Sequence, residues 1–357
     1  MAVTIPPGPT RATGAPAAPD PPWTVLHADS LHALAEPPAG SVDAVVCDPP
    51  YGISFNGHAW DGPAIRHAAG AQAARRLPPG EAFEAWTETW ARACLRLLRP
   101  GGHFAAFGAP RTFHRLCCGV EDAGFQLRDV LLWLYGTGMP KSRRLPGGAG
   151  TALKPAYEPI LLARKKPDGT IKRNLDRHGT GALSIDACRV DGRWPANVLL
   201  SHHPACTHAR CHRRCPARAI DMAAANSRRQ AGGLDEASRL FYCPKASRRE
   251  RNAGCDQLPR YELDLFPNAH GDSKPPPAAA NAHPTVKPLA VMRWLVRLIA
   301  PEGGLVLDPF CGSGSTGCAA VLEDRRFLGI EREEQYVAVA RARLAHWTDQ
   351  ALHEVVA

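Results

Sequence analysis

Short, mainly apolar runs bounded by turn residues are the main pattern along this chain. They occur at 23–27, 44–47, 103–107, 126–134, 157–163, 305–307 and 327–330. The run at 44–47 is apolar throughout, which is typical of a strand covered on both faces. Apolar positions three and four residues apart predict helices over about 81–98, 288–299 and 315–323. Strands alternating with helices predict an α/β fold, in which 157–163 returns antiparallel to 126–134.

Three stretches interrupt this pattern. Residues 1–22 are rich in Pro and Ala with few large apolar side chains, which predicts a disordered arm. Residues 52–80 are rich in Gly, Ala, His and Arg without a sustained period, which predicts a long mobile loop. Residues 269–282 are again rich in Pro and Ala and are predicted to be a linker.

Charge is distributed unevenly along the 357 residues, a length that indicates about two domains. The chain carries a formal net charge of +9, but residues 141–260 contain 24 Lys and Arg against 10 Asp and Glu. That segment therefore carries +14 and the remainder −5. A basic segment inserted into a slightly acidic body favours a polyanionic partner for that segment.

No apolar run reaches the roughly 20 residues that a membrane-spanning helix needs, and the N-terminus lacks the apolar region of a signal peptide. We therefore expect a cytoplasmic protein. Its twelve cysteines are then interpreted as thiols or metal ligands, because a reducing compartment does not maintain disulfides.

A glycine-rich turn at 311–317 follows a predicted strand, opens a predicted helix and has an acidic residue, Glu331, about 20 positions further on. This arrangement is compatible with a dinucleotide site, with an adenosyl site or with a strand-helix packing turn. The dinucleotide site is disfavoured because only 26 residues follow Glu331. A phosphate-binding Walker loop is excluded because the required Lys is absent.

Asp48-Pro49-Pro50-Tyr51 follows a predicted buried strand. The two prolines stiffen the backbone, so a carboxylate, a carbonyl and an aromatic ring are held at little conformational cost. Asp48 and the Pro49 carbonyl can accept hydrogen bonds from an exocyclic amine while Tyr51 stacks on the ring that carries it. A Pro-rich turn with a capping Asp is the structural alternative.

Three motifs in order carry a resemblance to a known family: Asp48-Pro49-Pro50-Tyr51, then His283-Pro284-Thr285-Val286-Lys287-Pro288, then Asp308-Pro309-Phe310-Cys311-Gly312-Ser313-Gly314-Ser315-Thr316. Together they resemble the β-class amino-directed DNA methyltransferases of bacteria and phages, with Cys311 where the family usually has Ala. The resemblance covers about 23–165 and 283–345. It implies a Rossmann-like, S-adenosylmethionine-dependent methyltransferase fold with circularly permuted motifs.

The resemblance also implies domain boundaries and residue roles. A catalytic domain is expected at 23–165 and 283–350, with a target-recognition insert at 166–268. The expected catalytic residues are Asp48, Pro49, Pro50 and Tyr51. The expected cofactor-binding residues are Asp29, Thr285, Lys287, Asp308, Pro309, Phe310, Gly312, Gly314, Thr316 and Glu331. A strand-end cap remains the alternative for Asp29, and a solvated residue before a helix remains the alternative for Lys287.

In the mechanism that this family implies, the exocyclic amine of a flipped base attacks the cofactor's methyl group directly. Asp in the first motif is the usual form for adenine N6, so that reaction is expected, with cytosine N4 methylation as the alternative. A non-catalytic DNA-binding protein of the same fold is a further alternative, disfavoured by the intact motifs. An RNA or protein amine methyltransferase would leave the basic insert without an evident task.

The insert lies where the family keeps its target-recognition region, so double-stranded DNA is the expected partner, with a cognate restriction endonuclease as a second. Residues 202–215 hold three cysteines and four histidines. This cluster predicts a structural zinc site with Cys206, Cys211, Cys215 and His203 as ligands. His202 or His212 could replace His203, and free thiols remain the alternative. The recognition sequence and the oligomeric state do not follow from these patterns.

Overall fold

The computed structural model describes residues 22–68, 77–135, 145–153, 155–190, 192–200, 213, 218, 241–242, 245–261 and 278–356. Nine strands in these ranges form one sheet. They are β1 (Trp23–His27), β2 (Val42–Cys47), β3 (Leu98–Phe107), β4 (Gln126–Leu134), β5 (Tyr157–Arg164), β6 (Val198–Leu200), β7 (Phe241–Tyr242), β8 (Leu305–Asp308) and β9 (Arg326–Glu331).

Nine α-helices accompany the sheet in the described ranges. They are α1 (Ser30–Ala33), α2 (Pro63–Ala68), α3 (Pro79–Leu97), α4 (Phe113–Asp122), α5 (Ile171–His178), α6 (Arg248–Asn252), α7 (Leu289–Ile299), α8 (Ser315–Leu322) and α9 (Glu334–Val356). None of these helices is long and apolar enough to cross a lipid bilayer.

The strand order is β1-β9-β8-β2-β3-β5-β4-β6-β7, and β5 alone runs antiparallel to its neighbours. Buried side chains form a separate cluster on each face of the sheet. One cluster includes α7, α8 and α9, and the other includes α3 and α4. The predicted α/β fold is therefore confirmed as three layers with a nearly parallel central sheet, and the predicted antiparallel return of 157–163 is confirmed as β5.

The central strands were predictable from the sequence because they are buried. Every residue of β2 is buried, Asp43 included, and the uninterrupted apolar run at 44–47 predicts this for its last four residues. β2 pairs with β8 on one side and with β3 on the other. The segments that follow β2 and β8 therefore leave the sheet side by side at its carboxyl edge, although about 260 residues separate them in sequence.

The predicted mobile loop at 52–80 is wrong over much of its length. It contains short 3₁₀ helices at Phe55–Gly57 and Ala59–Asp61 and the helix α2, while 69–76 lie outside the described residues. The helix predicted at 81–98 begins earlier, at Pro79, because proline is well tolerated in the first turn of a helix. The apolar residues of this stretch follow no helical period. Its short helices, which contacts with distant parts of the chain stabilise, were therefore not predicted from the local sequence.

The described part of the predicted insert packs against the body. In α5, Asn174 is buried and donates hydrogen bonds to the carbonyls of Pro100 (2.9 Å) and Thr180 (2.7 Å). A side chain at Gly101, whose φ is +76°, would collide with this amide. β6 and β7 extend the same sheet beyond β4. The predicted arm at 1–22 lies outside the described residues except for Pro22, and the domain boundaries stay a prediction.

Candidate functional site

A cleft of about 1030 Å³ opens at the carboxyl edge of the sheet, where β1, β2, β8 and β9 end. Thirteen of the fourteen residues predicted to be catalytic or cofactor-binding line it, from five separate parts of the sequence. The exception is Gly314, which adopts a left-handed conformation (φ +76°) at the start of α8 and whose Cα faces Ala340 of α9. Gly314 thus matches the packing-turn interpretation of the glycine motif.

Asp48 lies just beyond β2 and is contacted by two predicted site residues. The Tyr51 hydroxyl donates to Asp48 Oδ1 at 2.6 Å, and the Lys287 ammonium contacts Oδ2. Burial raises the pKa of Asp48, and the charge of Lys287 opposes that rise. Lys287 is itself buried (6% exposed), so it is not a solvated residue before a helix. The structure therefore places Lys287 against the predicted catalytic motif.

Glu158, in β5, completes this group and was missed by the sequence analysis. Its Oε2 lies 3.4 Å from Lys287 Nζ and 3.4 Å from the Tyr51 hydroxyl. Burial alone would lower the pKa of Lys287, but the carboxylates of Asp48 and Glu158 outweigh it and raise this pKa. A glutamate within an ordinary strand pattern carries no local signal, so only the pairing of β5 with β3 reveals its place.

The backbone of Tyr51 is held from both sides by residues that sequence analysis also missed. Asp61 is 1% exposed and accepts hydrogen bonds from the amides of Tyr51, Gly52, Ile53 and Phe55. On the other side, Thr112 Oγ1 donates to the Tyr51 carbonyl at 2.7 Å. These contacts fix the turn after the two prolines and direct Tyr51 into the cleft.

The glycine loop between β8 and α8 is organised by two carboxylates. Asp308 accepts from Thr316 Oγ1 at 2.6 Å and from the Phe310 amide at 3.0 Å. Burial raises the pKa of Asp308 to about 7. At the end of β9, Glu331 accepts from the amides of Gly312 and Glu333, both at 2.8 Å. Each Glu331 oxygen accepts one backbone amide and keeps lone pairs for a ligand's hydroxyl groups.

Phe310 forms one wall of the cleft because α3 supports its ring. The ring centroids of Trp86 and Trp90 lie 5.4 Å and 5.1 Å from that of Phe310. Asp29 also lines the cleft and caps α1, accepting from the amides of Leu31 and His32. Its capping interpretation is therefore confirmed, while cofactor binding stays a prediction.

The segment 283–288 is secured by the chain that returns from the insert. Glu250, in α6, accepts from the Leu289 amide at 2.7 Å, and Arg251 donates to the His283 carbonyl at 2.9 Å. The His283 ring packs edge-on against Tyr336 and lies against Gly312, where any side chain would collide with it. Burial and the nearby cations lower the pKa of His283 to about 3, so this ring is neutral.

A buried arginine supports the glycine loop from behind. Arg343 of α9 is completely buried and donates from Nη1 to the Ser313 carbonyl (2.6 Å), Ser313 Oγ (3.1 Å) and Ser315 Oγ (3.2 Å). The sequence analysis predicted neither α9 nor this contact.

The cysteines fall into two groups. Cys47 is buried beside Asp48 and Asp308, and burial raises the pKa of its thiol well above the usual value, which opposes a nucleophilic role. The predicted zinc ligands Cys206, Cys211, Cys215 and His203 lie outside the described residues. Among the residues that are described, no group of three or more His, Cys, Asp or Glu could hold a metal ion.

Comparisons with known proteins agree with this geometry. A family model described as DNA methylase matches residues 42–342. The type II methyltransferase M.HindIII of Haemophilus influenzae is 23% identical over 359 residues, covering 90% of this chain and 94% of that protein. The DNA adenine methyltransferase YhdJ of Escherichia coli is 23% identical over 344 residues, covering 93% and 87%.

A solved structure shows the same fold. The PvuII DNA methyltransferase, described as cytosine-N4-specific, superposes with a TM-score of 0.53 at 16% identity. The match covers 93% of this chain and 95% of that one.

Proposed function

Because this chain belongs to the N6/N4 DNA methylase family, we propose that it transfers a methyl group from S-adenosylmethionine to the N6 amine of a flipped adenine in double-stranded DNA. The observation that carries the proposal is the shared cleft at the ends of β2 and β8. It brings Asp48-Pro49-Pro50-Tyr51 beside the loop from Asp308 to Thr316. The name of the relative YhdJ, a DNA adenine methyltransferase, supports adenine as the target.

The residues of the cleft fit S-adenosylmethionine, which when bound supplies an electrophilic methyl group on a sulfonium. Glu331, oriented by two backbone amides, would accept from the ribose hydroxyls. Asp29 and Phe310 would hold the adenine, and Thr285 and Lys287 the methionine end. Gly312 lets the His283 ring approach the loop, since a Cβ there would lie 2.7 Å from His283 Nε2.

The target amine would be held by Asp48 and the Pro49 carbonyl. An exocyclic amine is a weak nucleophile because its lone pair is delocalised into the ring. Two accepted hydrogen bonds favour a pyramidal nitrogen and direct the lone pair at the methyl group. The prolines keep both acceptors in place at little entropic cost.

Tyr51 would stack on the flipped base. Extruding a base costs a few kcal/mol, and a base-aromatic stack returns about 1–3 kcal/mol. Asp61 and Thr112 fix the Tyr51 backbone before the base arrives, which reduces the ordering cost of binding.

The basic insert would contact the DNA backbone, and a cytoplasmic location suits that substrate. The type II designation of M.HindIII supports a cognate restriction endonuclease as a further partner.

The test is to incubate DNA of mixed sequence with labelled S-adenosylmethionine, digest it and identify the labelled nucleoside. We expect 6-methyladenine. 4-Methylcytosine would replace adenine by cytosine as the target, and no product with a well-folded, cofactor-binding protein would overturn the proposal.

Asp48→Ala is the matched variant for this assay. We expect it to lose turnover while retaining cofactor binding by calorimetry and its unfolding temperature, because Lys287 keeps Glu158 as a counter-ion. Full activity of this variant would refute the role of Asp48.

A further inference from the structure

The Asp48 carboxylate already has partners on both oxygens. Oδ1 accepts from Tyr51 and Oδ2 contacts the Lys287 ammonium. The positive charge of an ammonium in direct contact with the carboxylate offsets the carboxylate's negative charge. Asp48 is therefore a weaker acceptor for any further donor. Under the proposed function, the amine of the target base must bind this same group. Each Asp48 oxygen keeps a lone pair for the amine, but Asp48 holds the amine more strongly when the ammonium moves away.

Glu158 is the second carboxylate within reach of the same two donors. Its Oε2 lies 3.4 Å from Lys287 Nζ and 3.4 Å from the Tyr51 hydroxyl, slightly longer than hydrogen bonds to a charged group. All three side chains of the ionic group are largely buried, with exposed fractions of 7% for Lys287, 17% for Asp48 and 19% for Glu158. Two carboxylates thus share one ammonium in a poorly solvated place.

This sharing makes the position of Lys287 easy to shift. If the buried Lys287 ammonium moved away from Asp48 and had no second counter-ion, its desolvation would be uncompensated and costly. Glu158 removes that cost, because a shortening of the 3.4 Å distance converts a loose contact into a full ion pair. Lys287 also lies 5.0 Å from the centre of the Phe107 ring, a further favourable contact for a cation.

We infer that Glu158 is a positioning residue that takes the Lys287 ammonium from Asp48 when the target amine enters, so that Asp48 becomes a stronger acceptor for the amine. The inference rests on the proposed function and deepens it. No bond forms or breaks in this step. The ammonium moves between two carboxylates, and the amine takes its place on Asp48.

The test is Glu158→Gln, a substitution that keeps the shape but removes the charge. Lys287 then has one carboxylate left and should stay on Asp48. We expect kcat to fall about tenfold or more, while the Kd for S-adenosylmethionine changes by less than twofold. Glu158→Asp, which restores the charge at a shorter reach, should recover part of kcat. Glu88→Gln, at an exposed ion pair with Arg92 on α3, is the matched control and should leave kcat unchanged.

A pH profile separates positioning from mere structural support. The groups facing Asp48 are Lys287 from the segment before α7, Glu158 from β5, Tyr51 from its own turn, and Asp308 from the end of β8. The Glu158 charge raises the pKa of Asp48, so its removal should lower that pKa. The acid limb of kcat/KM for DNA should therefore move to lower pH in Glu158→Gln.

Two results would overturn the inference. One is a kcat within twofold of the wild type. The other is a loss of kcat accompanied by weaker cofactor binding, a lower unfolding temperature and an unmoved acid limb. Failure of the proposed function would look different, since the wild-type protein itself would then yield no methylated nucleoside.

Discussion

At the scale of single residues, the site depends on carboxylates that are buried and satisfied by local donors. Asp48 and Asp308 lie at strand ends and Asp61 ends a short 3₁₀ helix, and burial raises the pKa of each. Each is compensated differently: Asp48 by an ammonium, Asp61 by four backbone amides and Asp308 by a hydroxyl and an amide. Removing Asp61 or Asp308 leaves buried donors without partners, which is costly, whereas Lys287 keeps Glu158 as a partner when Asp48 is removed.

Asp61→Ala should reduce both stability and activity. It leaves four amides of the turn after Asp48-Pro49-Pro50-Tyr51 without their acceptor. Hydrogen bonds to a charged group contribute about 1.5–3 kcal/mol each, and partial relaxation should leave a loss of about 2–4 kcal/mol. Tyr51 would lose its fixed position, so kcat should fall at least about tenfold. Urea unfolding and methylation assays measure the two effects.

The control for Asp61 is Asp186→Ala, whose side chain is 88% exposed and pairs only at the surface with Arg189. It should change neither quantity appreciably. Equal behaviour of the two variants would contradict the organising role of Asp61.

Asp308 should make stability fall as pH rises from about 4 to about 7. Its folded-state pKa of about 7 lies above the unfolded value of about 3.9. The folded state therefore keeps a proton that the unfolded chain releases over this range. The contribution is present below the unfolded pKa and is lost toward the folded one, at up to about 1.4 kcal/mol per pH unit.

Asp308→Asn isolates this effect. The difference in unfolding free energy between the wild type and the variant, measured in urea at several pH values, should decrease as pH rises through this range. Parallel pH curves for the two proteins would show that Asp308 does not titrate as described.

At the scale of elements, the helices α3 and α4 contain none of the predicted site residues, but they position a residue that lines the cleft. α3 holds Trp86 and Trp90 against Phe310 of the glycine loop, and α4 packs closely against α3. The closest approach is at Gly119, where a Cβ would lie 2.6 Å from the Glu84 carbonyl and 2.8 Å from Thr87 Cβ. The periodic apolar positions of α3 made it predictable, whereas α4, with its short and mixed sequence, was not predicted.

Gly119→Ala should therefore separate α4 from α3 and destabilise the protein by about 1–3 kcal/mol, the usual cost of overpacking. Gly80→Ala, in the first turn of α3, is the matched control, because its nearest neighbour would be Arg115 Nε at 3.6 Å. Alanine should be neutral there or stabilise the helix by up to about 1 kcal/mol. Urea unfolding of both variants decides the matter, and a neutral Gly119→Ala would contradict the packing argument.

At the scale of the whole molecule, the positive charge is concentrated in one segment and the cleft is formed mainly by the rest of the chain. The acidic body supplies the cleft, and residues 141–260, with their local charge of +14, connect two motifs that line it. The returning end of that segment contacts the cleft directly, since Glu250 and Arg251 hold the chain at 283–289. DNA bound by the insert would thus lie close to the catalytic motif.

DNA affinity should accordingly fall steeply with salt, while cofactor affinity should change little. Each neutralised phosphate contributes a slope of about −0.9 to a plot of log K against log salt. The double substitution Arg228→Ala with Arg229→Ala, in the insert, should make this slope shallower by about 1–2. Arg92→Ala, on the exposed face of α3, should leave it unchanged. Fluorescence anisotropy with labelled DNA measures the slope, and a flat dependence would contradict DNA binding through this segment.

Local pattern predicted seven of the nine described strands and the helices α3, α7 and α8, because buried strands and proline- or glycine-rich turns leave their signature within a few residues. It did not predict β6, β7 or the long helix α9. Tertiary structure decided the partners. Lys287 and Asp48 lie 239 positions apart, and Glu158 joins them only because β5 inserts antiparallel between β3 and β4. Such contacts depend on which strands become neighbours, and neighbouring strands are a property of the whole sheet rather than of any one segment.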